Sequence, residues 1–347
     1  MRQQTVFALA GAAAIAVVLT VGTILTQPRV QTAESGAELV FPGFIDKVQE
    51  NLKTVVIRSA GGTVSLDRDG SVFRYRERAN YPADTQKVVD LVAGVARLTK
   101  LESKTSQPDR YARLALQDPT EKGSNAKEVT FIDTNEKEMA KLIVGKRKHT
   151  LGGKEGGTYV RLPGDAQTWL ALGEVNPGAA PKDWIAKDIA DVPDAAVKRV
   201  TVTPPKGERV IAAREGGKFV IENLPKSVSL ESDFVAEEYS RILAGLQAED
   251  VAPAAQVPFP KDKTYAVVVE TVEGSTINVE MTEVSDQSWV KISATPAANL
   301  DANSSASQAM AGINSRGEGR IFQVPAYKVA ILKRTLSDLR AKPGQAP

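Results

Sequence analysis

The sequence predicts an α+β fold: an N-terminal transmembrane helix followed by two similar units of antiparallel sheet packed with helices. Three observations predict it. Residues 6–25 form an uncharged apolar run, long enough as a helix to cross the roughly 30 Å of a bilayer core. Short β-prone runs separated by glycine turns recur through the rest of the chain. The same order of strands, turns and one amphipathic helix is read twice, with the two helices about 145 positions apart.

The apolar run exceeds the roughly 7–15 residues of a cleaved signal's core. Gln27-Pro28-Arg29 follows it where a small-x-small cleavage site would stand. Residues 1–28 therefore read as an uncleaved signal anchor, with a cleaved secretory signal as the alternative. Arg2 precedes the run and Arg29 follows it; a short N-terminus of this kind stays in the cytoplasm. The expectation is a single-pass protein of the inner membrane, held by residues 6–25, with its bulk in the periplasm. Ala8, Ala12 and Ala16 recur every four residues, a spacing that lets two membrane helices self-associate, although alanine also serves as plain apolar filler. Residues 29–40 read as a stalk.

The first unit is placed at residues 41–180. Val55-Val56-Ile57, Gly61-Gly62 and Val64-Ser65-Leu66 read as a hairpin, because glycine tolerates positive φ cheaply. Asp69-Gly70 then turns the chain into Phe73-Arg74-Tyr75-Arg76, whose alternation puts both rings on one face. Asp84 is the expected N-cap of a helix with Val88, Leu91, Val92, Val95 and Leu98 on one side. Strands follow at Val129 and Phe131, at Leu142-Ile143-Val144, and at Tyr159-Val160-Arg161-Leu162.

Residues 181–196 read as a linker and 197–342 as the second unit. Val200-Thr201-Val202, Val210-Ile211 and Phe219-Val220-Ile221 repeat the opening strands. Ser232 or Asp233 then caps an expected helix carrying Val235, Tyr239, Ile242, Leu243 and Leu246. Further strands are expected at 265–270, at Ile277-Asn278-Val279, at Trp289 and at Ile321-Phe322. The last of these is matched to the Tyr159 strand. The stretch from Pro296 to Arg316 is read as a surface loop with at most a helical turn. A final helix is expected from Pro325 with Val329, Leu332, Leu336 and Leu339, and residues 343–347 as a disordered tail.

Composition narrows the chemistry. Among 347 residues there is no cysteine and one histidine, which excludes disulfides, thiolate catalysis, cysteine-held metals and multi-histidine sites. Forty-four basic residues against 42 acidic ones leave no electrostatic footprint for nucleic acid. Gly145-Lys146 lacks the remainder of a P-loop, and Gly317-Glu318-Gly319 lacks the dinucleotide fingerprint. Glu237-Glu238 are neighbours on an expected helix and diverge by about 100° rather than converging on a substrate. No catalytic, cofactor or metal residues are assigned. The one cluster singled out is Lys146, Arg147, Lys148 and His149, a candidate anion or partner site at a strand end. Cations there also serve to block edge-to-edge strand pairing.

A set of short motifs runs through the exported part: Tyr111 with Leu116-Gln117-Asp118-Pro119, Leu142-Ile143-Val144-Gly145, Gly157-Thr158-Tyr159-Val160-Arg161, and Trp184-Ile185-Ala186-Lys187-Asp188-Ile189. As an ensemble they resemble the bacterial domain-of-unknown-function family 4340, with the family's compact Tyr-Gly-Leu stretched here through Ala112-Arg113-Leu114-Ala115. Members are often encoded beside gliding-motility-type ABC transporter genes. The resemblance implies an envelope protein linked to a transport system and transfers no catalytic residue. The leading expectation is a non-catalytic, membrane-anchored periplasmic accessory or scaffold protein that meets ABC transporter permease subunits. The alternative is a binding module for polysaccharide, peptidoglycan or lipid headgroups, using Tyr75, Tyr159, Trp289 and the basic tip. A hydrolase built from distant carboxylates is a third and less favoured reading.

Overall fold

A computed structural model describes residues 38–149, 151, 156–225, 228–232 and 234–341. The expected span at residues 6–25, with Ala8, Ala12 and Ala16, and the tail at 343–347 lie outside the described residues. Among the described residues, no helix is long and apolar enough to cross a membrane. The fold is α+β and mostly antiparallel sheet, divided into two compact units, Met1–Ala186 and Lys187–Pro347.

The first unit opens with helix α1 (Phe44–Asn51), then β1 (Leu52–Ser59), β2 (Gly62–Asp69), β3 (Val72–Tyr75) and the short β4 (Tyr81–Pro82). Helix α2 (Thr85–Arg97) follows, begun by Asp84, whose carboxylate accepts from the Lys87 amide at 3.2 Å. Val88, Leu91, Val92 and Val95 are buried along it, as their spacing requires. Next come β5 (Thr99–Ser103), one helical turn α3 (Tyr111–Leu114), β6 (Lys127–Asp133), β7 (Glu138–Lys148), β8 (Gly157–Arg161) and β9 (Thr168–Leu172). The sheet order is β4-β3-β2-β1-β6-β7-β8-β9-β5, with every pair antiparallel. Val55, Leu66, Tyr75, Phe131, Leu142 and Val160 are buried. Phe44 of α1 meets Phe131 edge-on with ring centroids 4.9 Å apart. The outer edge of β5 is met by residues 38–40, through Lys100 N–H to the Glu38 carbonyl and Val40 N–H to the Leu98 carbonyl.

The second unit begins with β10 (Asp188–Ala190), followed by β11 (Val197–Thr203), β12 (Val210–Glu215), β13 (Lys218–Ile221), the single turn α4 (Glu237–Ser240), β14 (Leu246–Gln247) and β15 (Asp250–Pro253). It continues through β16 (Tyr265–Thr271), β17 (Thr276–Val284), β18 (Gln287–Thr295), helix α5 (Ser305–Gly317), β19 (Arg320–Val324) and α6 (Ala326–Val329). Its main sheet runs β13-β12-β11-β16-β17-β18-β19-β15, and β10 pairs with β14.

Apart from β4, this is the order of the first sheet strand for strand. The correspondence reaches individual residues. Val55 faces Leu66 and Phe131, as Val200 faces Ala212 and Val269. Both first strands carry a register shift at their start, between Leu52 and Thr54 and between Val197 and Arg199. The Glu77 carboxylate accepts from the Ser65 amide, and the Asn223 side chain accepts from the Ile211 amide at the matching place.

Four sequence expectations are corrected. The second unit's helix from Ser232 or Asp233 is only the turn α4; Leu246 has passed into β14, and the Arg241 and Ala244 amides turn back on Glu238 and Arg241. The stretch from Pro296 to Arg316, expected as a loop, holds the 13-residue α5, capped by Ser304 accepting from the Ser307 amide at 3.2 Å. Weak apolar periodicity hid it, since only Met310, Ile313 and Gly317 face inward. The Tyr159 strand corresponds to the Trp289 strand, not to Ile321; β9 is the counterpart of β19. The final helix is short. It passes through a 3-10 turn at Ala330–Lys333 and ends where the Asp338 carboxylate accepts from the Thr335 amide and hydroxyl.

Candidate functional site

In the first unit the stretch between β5 and β6 is long, and it folds back over one sheet face. Tyr111, Leu116, Ala126 and Ile143 form a small core there, with Leu114 and Tyr159 packed against it. Gly145 permits this approach: a Cβ at that position would lie 2.2 Å from the Leu114 carbonyl oxygen. The Tyr111 hydroxyl donates to the Ala166 carbonyl at 2.6 Å and so ties this cover to the β8–β9 connection.

Beside the small core a cleft of about 330 Å³ opens, lined by Arg58, Asp118, Thr120, Glu128, Ile143 and Arg161, together with Pro119 and Pro163. Sheet register builds its floor. Arg58 is opposite Glu128, Glu128 opposite Ile143, and Ile143 opposite Arg161, a single row across four strands. At three inter-strand spacings, the two arginine backbones stand about 14 Å apart.

The charges in the row are held differently. Glu128 receives Arg58 at 3.4 Å and Lys141 at 3.5 Å. Arg161 donates from Nε to the Leu116 carbonyl at 3.2 Å, and its guanidinium lies 4.7 Å from the centre of the Tyr111 ring. Asp118 accepts from the Thr120 amide at 2.8 Å and hydroxyl at 2.7 Å. Those two bonds, with the field of Arg161, hold its carboxyl below the usual aspartate range. The Gln117 side-chain oxygen, next to Asp118 in sequence, is buried with no hydrogen-bond partner among the described residues. No three acidic or histidine side chains gather to hold a metal ion among the described residues.

The basic tip lies elsewhere. Lys146, Arg147, Lys148 and His149 are exposed at the end of β7 and do not line the cleft. Glu174 pairs with Arg147 and lies 3.9 Å from His149 Nδ1, which offsets part of the tip's charge. The aromatic residues on which the binding-module expectation rested are occupied by packing. Tyr75 is fully buried, Tyr159 joins the small core, and Trp289 packs with Ala252, Val257 and Ile321. The sequence therefore singled out a cluster outside the cleft and missed the cleft itself. The available signal was Tyr159-Val160-Arg161, where alternation puts a ring and a cation on one face, together with Asp118-Pro119 upstream.

Fold and site define a class: a tandem α+β protein whose first unit carries a polar cleft roofed by the connection between its fifth and sixth strands. A family model described as a domain of unknown function (DUF4340) matches residues 74–266, more than half of the chain, and the chain belongs to that family. No curated protein and no solved structure matches the chain. The matched region contains every lining residue of the cleft except Arg58.

Proposed function

We propose that this chain is a membrane-anchored accessory protein of the cell envelope, non-catalytic, whose first unit recognises a polar partner through the cleft. The carrying observation is the convergence of separate sequence motifs on that one place. Tyr111 and Leu116 position Arg161, Gly145 admits the backbone that bears them, and Asp118 lines the same cleft. The apolar run at residues 6–25 supports the anchor and an exported bulk. Family membership supports a link to an ABC-type transport or gliding-motility-like system. The test is co-purification of the tagged full chain from membranes in mild detergent. Recovery of permease subunits, lost in an Asp118→Lys variant that still reaches the membrane, is expected. Recovery of the chain in the soluble fraction, or of permease at equal yield with the variant, refutes the reading.

The second reading, an envelope-ligand binding module, keeps the cleft and replaces the protein partner by a small polar molecule. The modest cleft volume favours it, being at the lower end of ligand sites.

A further inference from the structure

We infer that the cleft of the first unit binds a carboxylate flanked by hydrogen-bond donors, with the Arg161 guanidinium as the carboxylate's partner. This rests on the reading of the cleft as the recognition surface and names the chemistry recognised.

Arg161 is fixed from three sides, by the β8 backbone, by the Leu116 carbonyl at Nε and by the Tyr111 ring under its guanidinium carbon. Its two terminal nitrogens have no hydrogen-bond or ion-pair partner among the described residues. The neighbouring cations differ: Arg58 and Lys141 both reach Glu128. Asp118 feels the field of Arg161 but makes no direct ion pair with it among the described residues, so this part-buried cation gives up hydration and gains no contact ion pair in return. The planar fork of two free terminal nitrogens matches the two oxygens of a carboxylate. Asp118 faces the same space; Thr120 occupies Oδ1, and Oδ2 is available to accept from a ligand amine or amide.

Charge selects between anions. Arg58 and Arg161 balance Asp118 and Glu128, so a monoanion leaves the cleft with a small excess of negative charge and a phosphate dianion doubles it. Among the described residues no aromatic side chain lines the cleft, so a sugar finds no ring to stack on there. The volume suits a free amino acid or the carboxy-terminal end of a peptide, which share this carboxylate-and-donor chemistry.

The experiment is calorimetric titration of the detergent-solubilised full chain with alanine, trialanine, trialanine amide and inorganic phosphate. A free-acid probe is expected to bind, with the amide at least about tenfold weaker. Alanine binding more tightly than trialanine assigns a small solute; the reverse assigns a peptide end. Arg161→Lys, which keeps the charge and loses the fork, is expected to weaken the free acid by about tenfold while melting like the wild type. Equal binding of acid and amide, tighter binding of phosphate, or no binding of any probe at about 10 mM overturns the assignment. Should Arg161→Lys fail to fold, the acid–amide comparison on the wild-type chain decides alone. These titrations are made on the isolated chain, so they stand or fall independently of whether permease co-purifies.

Discussion

Replacing Gly145 by alanine tests whether the cover over the cleft is held by backbone contact. An added Cβ would lie 2.2 Å from the Leu114 carbonyl oxygen and 2.9 Å from that of Ala115. Both obstacles are backbone atoms at the end of α3, where Ala115 already holds φ at 55°, so neither can swing aside as a side-chain tip can. Overpacking of this kind costs about 1–3 kcal/mol, and rigid obstacles place it at about 2–3 kcal/mol. For a unit of this size each kcal/mol lowers the melting temperature by about 2–4 °C, so calorimetry of the full chain should show the first-unit transition about 5–10 °C lower. Gly61→Ala is the control, because a Cβ there meets nothing nearer than 3.6 Å. Since the displaced segment also carries the Leu116 carbonyl that holds Arg161, free-acid binding should weaken in the same variant. A melting temperature within about 1 °C of the wild type would refute the steric argument.

Three other outcomes follow from the structure. Asp84→Ala removes the cap of α2 and is expected to cost about 1 kcal/mol, read from denaturant midpoints; an unchanged midpoint would show that the cap is dispensable. Glu136 holds φ at 63° where the second unit has Gly274 at 89°, so Glu136→Gly is expected to stabilise by about 0.5–1 kcal/mol, measured by the same denaturation; destabilisation would sink this use of the repeat. Burial pulls the Lys127 ammonium, which donates to the Gly178 and Ala179 carbonyls, below the usual lysine pKa of 10.5. Between its folded pKa and 10.5 the unfolded chain binds more protons than the folded one, so the cost of burying this charge is complete below that window and is relieved as pH rises through it. Relative to Lys127→Met, wild-type stability should climb with pH there, and a falling difference would contradict the sign.

Much of the fold could be read from the chain because the signals were local. The Asp84 cap, the spacing of Val88, Leu91 and Val95, and the glycine turns between β1, β2 and β3 each lie within a few residues of what they determine. The errors came where tertiary context decides. The apolar residues at Val235, Tyr239, Ile242 and Leu243 have helical spacing and all are buried, yet only Tyr239 lies in α4 and the other three sit in the turns that flank it. α5 shows the opposite case, an Ala/Ser/Asn-rich helix with few inward positions. The cleft was less legible still. Its floor depends on the register that brings Arg58, Glu128, Ile143 and Arg161 into one row, from strands separated by up to a hundred residues. The sequence shows two arginines and a glutamate far apart in the chain; only the pairing brings them together.

The pairing of residues 38–40 with the margin of β5 has a consequence for solubility. β5 is the last strand of its sheet, and beyond that short pairing Leu101 is exposed. An unpaired margin of this kind is a template for a strand from another molecule. A chain begun at residue 41 would keep all nine strands of the first sheet and lose its guard against self-addition. Three residues that look like the end of a stalk thus occupy part of the edge at which a strand of another molecule could otherwise add.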